Sequence, residues 1–437
     1  MRTTSSPSRR QFLRRAAAAA VTAPHVITSA ALGAPGKAPA SDRIAMGFLG
    51  TGGHGVGRNL RMFLGQPDAQ AVALCDVDAK RLDRTHKLVK RHYAARQRSA
   101  DSKGCLTTAD WREVIARDDV DAVMISTPDH WHCLMSVKAI EAGKDVICEK
   151  PTYNVHEGRV IADTVRRYGA VFQTSTEDRS VAIYHRMAEL VRNHRIGTLK
   201  RILVTLPSSP GSPGDPTPKP VPPHLDWNMW LGPAPYAPYC PGRTHHSFRY
   251  VRDTGAGILA DWGTHMVDTA QWANDTEHTG PIRVEGSGKR FVGGLFDTFH
   301  TFDLTYRYAN GVELSIKSGG TGIRCEGTEG WVQSASWRRP LIASSPSILT
   351  SHIGPSDTHL FTCPAGEHRN FLDCVKSRRA PYFPAEIGHR CCTIMHIGKI
   401  AMDLGRPLRW DPATERFPDD AQANRLLSRP MRAPWRL

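Results

Sequence analysis

A chain of 437 residues is longer than one hydrophobic core supports, so two domains are expected. Its 40% hydrophobic and 23% charged content is that of a soluble globular protein, and no run of about eighteen apolar residues follows the N-terminal region, which excludes a membrane span beyond it. The formal charge of +15 falls by six, to +9, once the basic residues of the acid-free first forty are set aside; the rest is scattered without aromatic interleaving, which argues against nucleic-acid binding.

The chain opens with paired Arg9-Arg10 followed by Phe12 and Leu13, a weakly apolar Ala-rich stretch, and small residues ending in Ala38-Pro39-Ala40. That is the layout of a twin-arginine signal with an A-x-A cleavage site, so residues 1–40 are expected to be a signal peptide. Its partner is the twin-arginine export machinery and its destination is periplasmic or otherwise extracytoplasmic. That route carries folded proteins, so a cofactor loaded in the cytoplasm can travel with the chain.

Next comes a short apolar run, "RIAMGFLG", then a glycine turn and a helical pattern. Gly50, Gly52 and Gly55 form G-x-G-x-x-G at that junction, where glycine lets backbone N–H groups approach a pyrophosphate at a helix N-terminus. The second apolar run, "QAVALCDVD", ends at Asp76, 26 residues after Gly50. A carboxylate there binds the adenosine ribose hydroxyls and favours NAD, without excluding NADP.

A polar helical stretch runs to about Gln97, followed by the helix-like "TTADWREVIARDD", then "VDAVMISTPDHWH" and "KDVICEKP", a helix over roughly 155–168, and "GAVFQTST". Apolar runs alternating with helical periods describe βαβ units, hence an α/β fold whose N-terminal Rossmann domain, 41–175, is a doubly wound parallel sheet. Ten cysteines could suggest disulfides or a metal, but Cys75 and Cys148 lie inside apolar strand-like runs and no pair has zinc-site spacing. None is read as a metal ligand or a nucleophile.

From residue 176 to 437 the pattern changes. Residues 207–241 are a proline-rich insert, which excludes regular helix or central strand there. "TFHTFDLTYRYANGVELSIKS" then gives two alternating runs joined through Asn310-Gly311, a hairpin signal. Antiparallel strands after a parallel unit imply a C-terminal α+β substrate domain. The segments "EHRNFLDCVKS" and "GHRCCTIMHIGKIAMDLG" read as helices that return to pack on either domain.

At "STPDHWHCLMSVKAIEAGKDVICEKP" and the later "DWGTHMVD" the chain resembles the Gfo/Idh/MocA oxidoreductase family, from about Arg43 to the C-terminus. It resembles exported members with a proline-rich insert, a "GTEG" segment at 327–330 and a "SRPMRAPW" tail. The resemblance implies a C-terminal domain built on a large, mostly antiparallel open sheet, through which a homo-oligomer can form, with a nicotinamide lying between the domains. It places catalytic residues at Lys150, Asp261 and His265, and cofactor-lining residues at Thr127, Pro128, His130 and Glu149. Arg249, Trp262 and Asp268 are candidate substrate contacts.

Elementary chemistry agrees with these roles. Taking hydride from a carbinol carbon requires loss of the hydroxyl proton, for which histidine is well poised, and an ammonium stabilises the developing charge. Asp261 and His265, four apart, share one face if they lie on a helix. The expected function is NAD(P)-dependent oxidation of a sugar, sugar acid or cyclitol. The alternatives are an NAD-dependent glycosidase working by transient oxidation, elimination, hydration and reduction, and a non-catalytic sugar-binding protein. If the leader reading holds, replacing Arg9 and Arg10 by lysine will trap the precursor in the cytoplasm; unimpaired export on cell fractionation would mean another route is used.

Overall fold

Six apolar runs of the N-terminal part form strands β1 Ile44–Leu49, β2 Ala69–Cys75, β3 Leu106–Thr108, β4 Ala122–Ile125, β5 Asp145–Glu149 and β6 Phe172–Ser175, in the order β3-β2-β1-β4-β5-β6. Every neighbouring pair is parallel. The winding direction reverses between β1 and β4, and the crevice beyond the carboxyl ends of those strands is where doubly wound sheets bind ligands. β4 is buried at every position and β1 at all but one, as strands covered on both faces must be. This computed structural model describes residues 38–96 and 104–437, so the leader reading falls almost wholly outside it. Ile44–Leu437 form one compact unit.

Local chemistry fixes the intervening helices. A π-helical turn, Gly55–Leu60, runs into α1, Arg61–Leu64. α2, Ala79–Ala95, starts where the Asp78 carboxylate accepts the N–H groups of Lys80 and Arg81. α3 is Trp111–Ile115 and α4 is Asp129–Glu141. α5, Val155–Tyr168, is capped by Asn154, which accepts the Glu157 N–H while its amide donates to Glu157 Oε1 at 2.8 Å; Gly169, at φ 64°, ends it.

After α6, Ala182–Arg192, the chain builds a second sheet from β7 Leu199–Leu206, β8 Arg283–Lys289, β9 Thr301–Arg307, β10 Glu313–Ser318, β11 Ile323–Gly327, β12 Trp331–Ser334, β13 Leu341–Ala343 and β14 Leu408–Arg409. Its order is β13-β12-β11-β7-β10-β9-β8-β14, antiparallel throughout except β7–β10. β9 and β10 are joined by the turn read from Asn310-Gly311, with Gly311 at φ 83°. The proline-rich insert holds one short α-helix, α7, Trp227–Leu231.

Helix α8, Gly257–Ala273, is buried along almost its whole length and lies between β7, α6 and the long helix α11, Ala385–Leu404. A Cβ on Gly263 would stand 2.7 Å from Met395 Cγ, so α8 and α11 approach closely because that position is glycine. Between the sheet and α11 come α9, Pro346–Thr350, and α10, Glu367–Ser377; α12, Ala421–Arg425, follows α11. The C-terminal helices serve both sheets. Phe371 and Leu372 of α10 share a core with Met46 and Phe63, while α11 packs on α5, α8 and β8. No helix among the described residues is long and apolar enough to cross a membrane.

One buried ion pair locks α8 to the chain leaving β6. The Arg179 guanidinium donates to both carboxylate oxygens of Asp268, at 2.7 and 2.6 Å, and meets Glu277 at 2.6 Å. It also lies 5.1 Å over the rings of Trp272 and Phe383. Asp268 is wholly buried, and burial raises its pKa against the pull of Arg179. Arg179→Met keeps the apolar stem but strands two carboxylates, so the variant should lose about 3–5 kcal/mol in urea unfolding, the usual cost of breaking a buried pair.

Candidate active site

The glycine turn is shaped by two contacts and one open space. Gly50 ends β1 at φ 90°, and a Cβ there would stand 2.6 Å from the Ser126 carbonyl oxygen. A Cβ on Gly55 would stand 2.6 Å from the Gly50 carbonyl oxygen. The turn is therefore wedged against the loop leaving β4. In front of Gly52 the nearest atom to such a Cβ is Arg81 Nη1 at 3.6 Å, and Gly53 meets nothing within 4 Å. This open cradle at the start of a helix borders a cavity of about 460 Å³, enough for a dinucleotide's reactive half and a small substrate.

Asp76 lines that cavity, and much of its hydrogen-bonding capacity is already engaged. Its Oδ2 accepts the Thr51 N–H at 2.7 Å and the Thr51 hydroxyl at 2.9 Å, and Oδ1 accepts the Asp78 N–H at 2.9 Å. A carboxylate offers about four lone-pair directions, so one remains for a ribose hydroxyl while the others hold the glycine turn in shape. Burial raises its pKa, opposed by those hydrogen bonds and by Arg81.

At the other end, β5 delivers Lys150 and α8 delivers Asp261 and His265. Lys150 Nζ donates to Asp261 Oδ1 and to the Asp261 carbonyl, both at 2.7 Å, which leaves one ammonium N–H free for a ligand oxygen. Arg249 Nε stands 3.3 Å from Asp261 Oδ2. Burial would raise the Asp261 pKa, but Lys150 and then Arg249 overcome it and hold the group well below the usual carboxylate range. Glu149 is held low in the same sense: burial opposes, while His54 at 3.1 Å, Lys150 and the Asn59 amide at 2.7 Å prevail.

His265 is set by a residue that sequence reasoning did not single out. Its Nδ1 lies 2.8 Å from Oδ2 of the fully buried Asp178 and 2.9 Å from the Thr176 hydroxyl. The Trp337 indole N–H donates to the other Asp178 oxygen at 3.2 Å. Burial would raise the Asp178 pKa, but the charge and hydrogen bond of His265 bring it below the normal value. Only the tautomer with its proton on Nδ1 can donate to Asp178, and it leaves Nε2 as the open acceptor. Trp262 and Trp337 stand edge to face, 5.4 Å apart, each about 6 Å from the His265 ring.

Gly50, Gly52, Gly55, Asp76, Thr127, Pro128, Glu149, Lys150, Arg249, Asp261, Trp262 and His265 all border the one cavity. Two sequence candidates do not. His130 is fully buried with its ring nitrogens 3.1 Å from the Thr254 and Trp230 carbonyls, and burial pushes its pKa down to about 3. The histidine that grips the site loops is His132, two residues on, between the Thr127 and Pro151 carbonyls at 2.9 and 2.8 Å. Asp268 is likewise no substrate contact, because Arg179 consumes both its oxygens. Asp178 and Glu177 carried one legible signal: they follow the carboxyl end of β6, where ligand-facing residues of such sheets sit. Trp337 carried none, since nothing local links the β12–β13 connection to the site.

Residues 44–176 match the family model described as "Oxidoreductase family, NAD-binding Rossmann fold", and residues 214–437 match its partner, "Oxidoreductase family, C-terminal alpha/beta domain". A glycosyl hydrolase family 109 protein of Shewanella sp. (strain W3-18-1) is 31% identical over 131 residues, 30% of this chain and 28% of the relative, so that match spans well under half of the relative's length. Among solved structures, the WlbA dehydrogenase from Bordetella pertussis, in complex with NADH and UDP-GlcNAcA, shares the fold at 15% identity with a TM-score of 0.62, over 84% of this chain and 99% of that one. The aldose-aldose oxidoreductase from Caulobacter crescentus shares it at 16% identity with a TM-score of 0.60 over the same shares. Because Gly52 faces open space, Gly52→Val should fold with nearly unchanged melting temperature yet weaken dinucleotide binding tenfold or more on the order expected for a filled phosphate cradle. Unchanged affinity by calorimetry would place the pyrophosphate elsewhere.

Proposed function

The chain belongs to the Gfo/Idh/MocA oxidoreductase family, and from that premise we propose that it is an NAD-dependent enzyme acting on a CH–OH group of a sugar, sugar acid or cyclitol. The observation that carries this reading is the convergence of Lys150, Asp261 and the Asp178-held His265 on the cavity that the glycine turn also borders. What the cofactor supplies when bound is a hydride acceptor. The chain's own residues do the rest. Nε2 of His265 takes the hydroxyl proton, and Asp178 stabilises the resulting imidazolium. The spare N–H of Lys150 donates to the same substrate oxygen and favours its developing negative charge. Asp261 holds that ammonium in place. Trp262 and Trp337 offer apolar faces to a ring and keep water from its edge.

A second reading, a redox-neutral glycosidase, is favoured by the similarity to the family 109 glycosyl hydrolase protein and uses the same three residues. Export in folded form suits either, provided the cofactor stays bound. The insert supports such retention: its Asp226 N–H donates to the Val77 carbonyl and its His224 carbonyl accepts the Ala79 N–H, covering the turn beside Asp76. The paired Arg9-Arg10 leader supports a periplasmic site of action. Native mass spectrometry of the purified protein should find NAD(H) bound, and a screen of free sugars and glycosides with the loaded protein identifies the reaction. In that assay Lys150→Met and His265→Ala should each lower turnover about 10²-fold or more while NAD stays bound. Near-normal turnover of a folded, NAD-loaded His265→Ala protein would sink the assignment.

A further inference from the structure

Behind the N-terminus of α8, away from the cavity described above, a second small cavity of about 10 Å³ is bordered by Arg252, Gly257, Arg290, Thr298 and Lys399. Its polar lining is not fully satisfied by the protein's own groups. The Thr298 hydroxyl is buried with no hydrogen-bond partner, in a residue only 5% exposed. It lies beside Gly257, where a Cβ would stand 3.6 Å from Thr298 Oγ1. The Lys399 ammonium reaches the same space, with the Tyr153 ring 5.9 Å away on its other side; burial and Arg252 push its pKa down to about 8 against the pull of Asp403. Asp403, one turn away, is already shared by Arg252 Nη2 at 3.1 Å and by Arg290. Asp297 accepts the Arg252 backbone N–H at 2.7 Å.

α8 itself adds a positive end. It is a 17-residue helix with no side chain capping its first turn, and the N–H of the preceding Ala256 is turned to Asp129 at 2.9 Å. The partial charge of such an end favours an anion. Two arginines, a lysine and a helix N-terminus therefore meet here, while Asp403 is shared by the arginines and Asp129 and Asp297 are engaged by the Ala256 and Arg252 backbone N–H groups. The buried threonine hydroxyl needs an acceptor that no side chain provides, and the lysine beside it favours one that is negatively charged. A space of about 10 Å³ holds one water-sized particle and is too small for phosphate, sulfate or a carboxylate group.

We propose that this cavity binds one monatomic inorganic anion, chloride in size and charge, held by Lys399 Nζ, Thr298 Oγ1 and the first N–H groups of α8. The anion completes the cap of the helix that carries Asp261 and His265.

The test uses bromide as the probe. Crystals of the full protein grown in bromide and measured at its absorption edge should show an anomalous peak within roughly 3.5 Å of both Lys399 Nζ and Thr298 Oγ1, hydrogen-bonding range for so large an acceptor. That peak should vanish in Lys399→Met and weaken in Thr298→Val. At matched ionic strength, bromide should raise the melting temperature above that in gluconate for the unaltered protein, and not for Thr298→Val. No peak at this position in the unaltered protein, a water in its place, or a peak indifferent to both substitutions would overturn the proposal.

Discussion

The contact between Lys150 and Asp261 is the constraint on which the rest of the molecule turns. Lys150 ends a strand of the first sheet, Asp261 stands in a helix that packs on the second, and both are nearly buried, with side chains 11% and 12% exposed. A charge taken so far out of water is tolerable only if paired, so the two halves must meet at this point and at this distance. The cavity exists because they do: the glycine turn and the β4 loop form one wall, and α8 with the β12–β13 connection forms the other. A lysine at a strand end read alone is an ordinary surface residue. Here its ammonium is anchored twice and keeps one donor unspent.

The insert and the tail complete the enclosure from the adenosine side. Backbone hydrogen bonds join residues 224–226 to the β2–α2 turn, and the stacked pair Trp227 and Trp230, 4.8 Å apart, stiffens α7 over it. Arg432 then binds the Gly232 carbonyl at 2.9 Å and both the side chain and backbone of Asn228, while Trp435 packs edge to face on Trp131 at 4.9 Å. A stretch too rich in proline to form regular structure thus gains its conformation from what it covers. That is why its sequence announced an irregular segment and said nothing of its place.

Much of the fold was legible because its signals are local and periodic. The alternation of buried strands with helices, the Asn310-Gly311 turn, and the helix over 155–168 closed by Gly169 are each decided by a few neighbouring residues. The glycine turn, Asp76, Lys150, Asp261 and His265 were legible by spacing and family pattern. What the sequence could not disclose are contacts made at long range. His130 and His132 stand two apart on one helix, and only the packing decides that the first is buried against Trp230 and the second clamps Thr127 to Pro151. Asp268, seven residues after Asp261, shares its stripe of α8, yet it lies two turns further along the helix, where Arg179 takes both its oxygens. Asp178 reaches His265 from 87 residues before it, signalled only by its place after the carboxyl end of β6, and Trp337 comes from a distant loop with no local pattern at all.

Those long-range contacts share one logic. α8 bears three side chains with charge or titration within its first twelve residues, Asp261, His265 and Asp268, and each is met by a partner from outside the helix: Lys150, Asp178 and Arg179. Two of the partners are adjacent in the chain, on the single 3-10 turn that leaves β6. The rotation of α8 about its axis is therefore over-determined, because turning it to relieve one pair breaks the other two. Rotamers fixed by buried pairs do not need to reorganise when a ligand arrives, and a reacting group displaced by an ångström loses much of its effect. The pair farthest from the cavity, Arg179 with Asp268, thereby fixes the orientation of the helix that carries Asp261 and His265 without itself reaching the cavity.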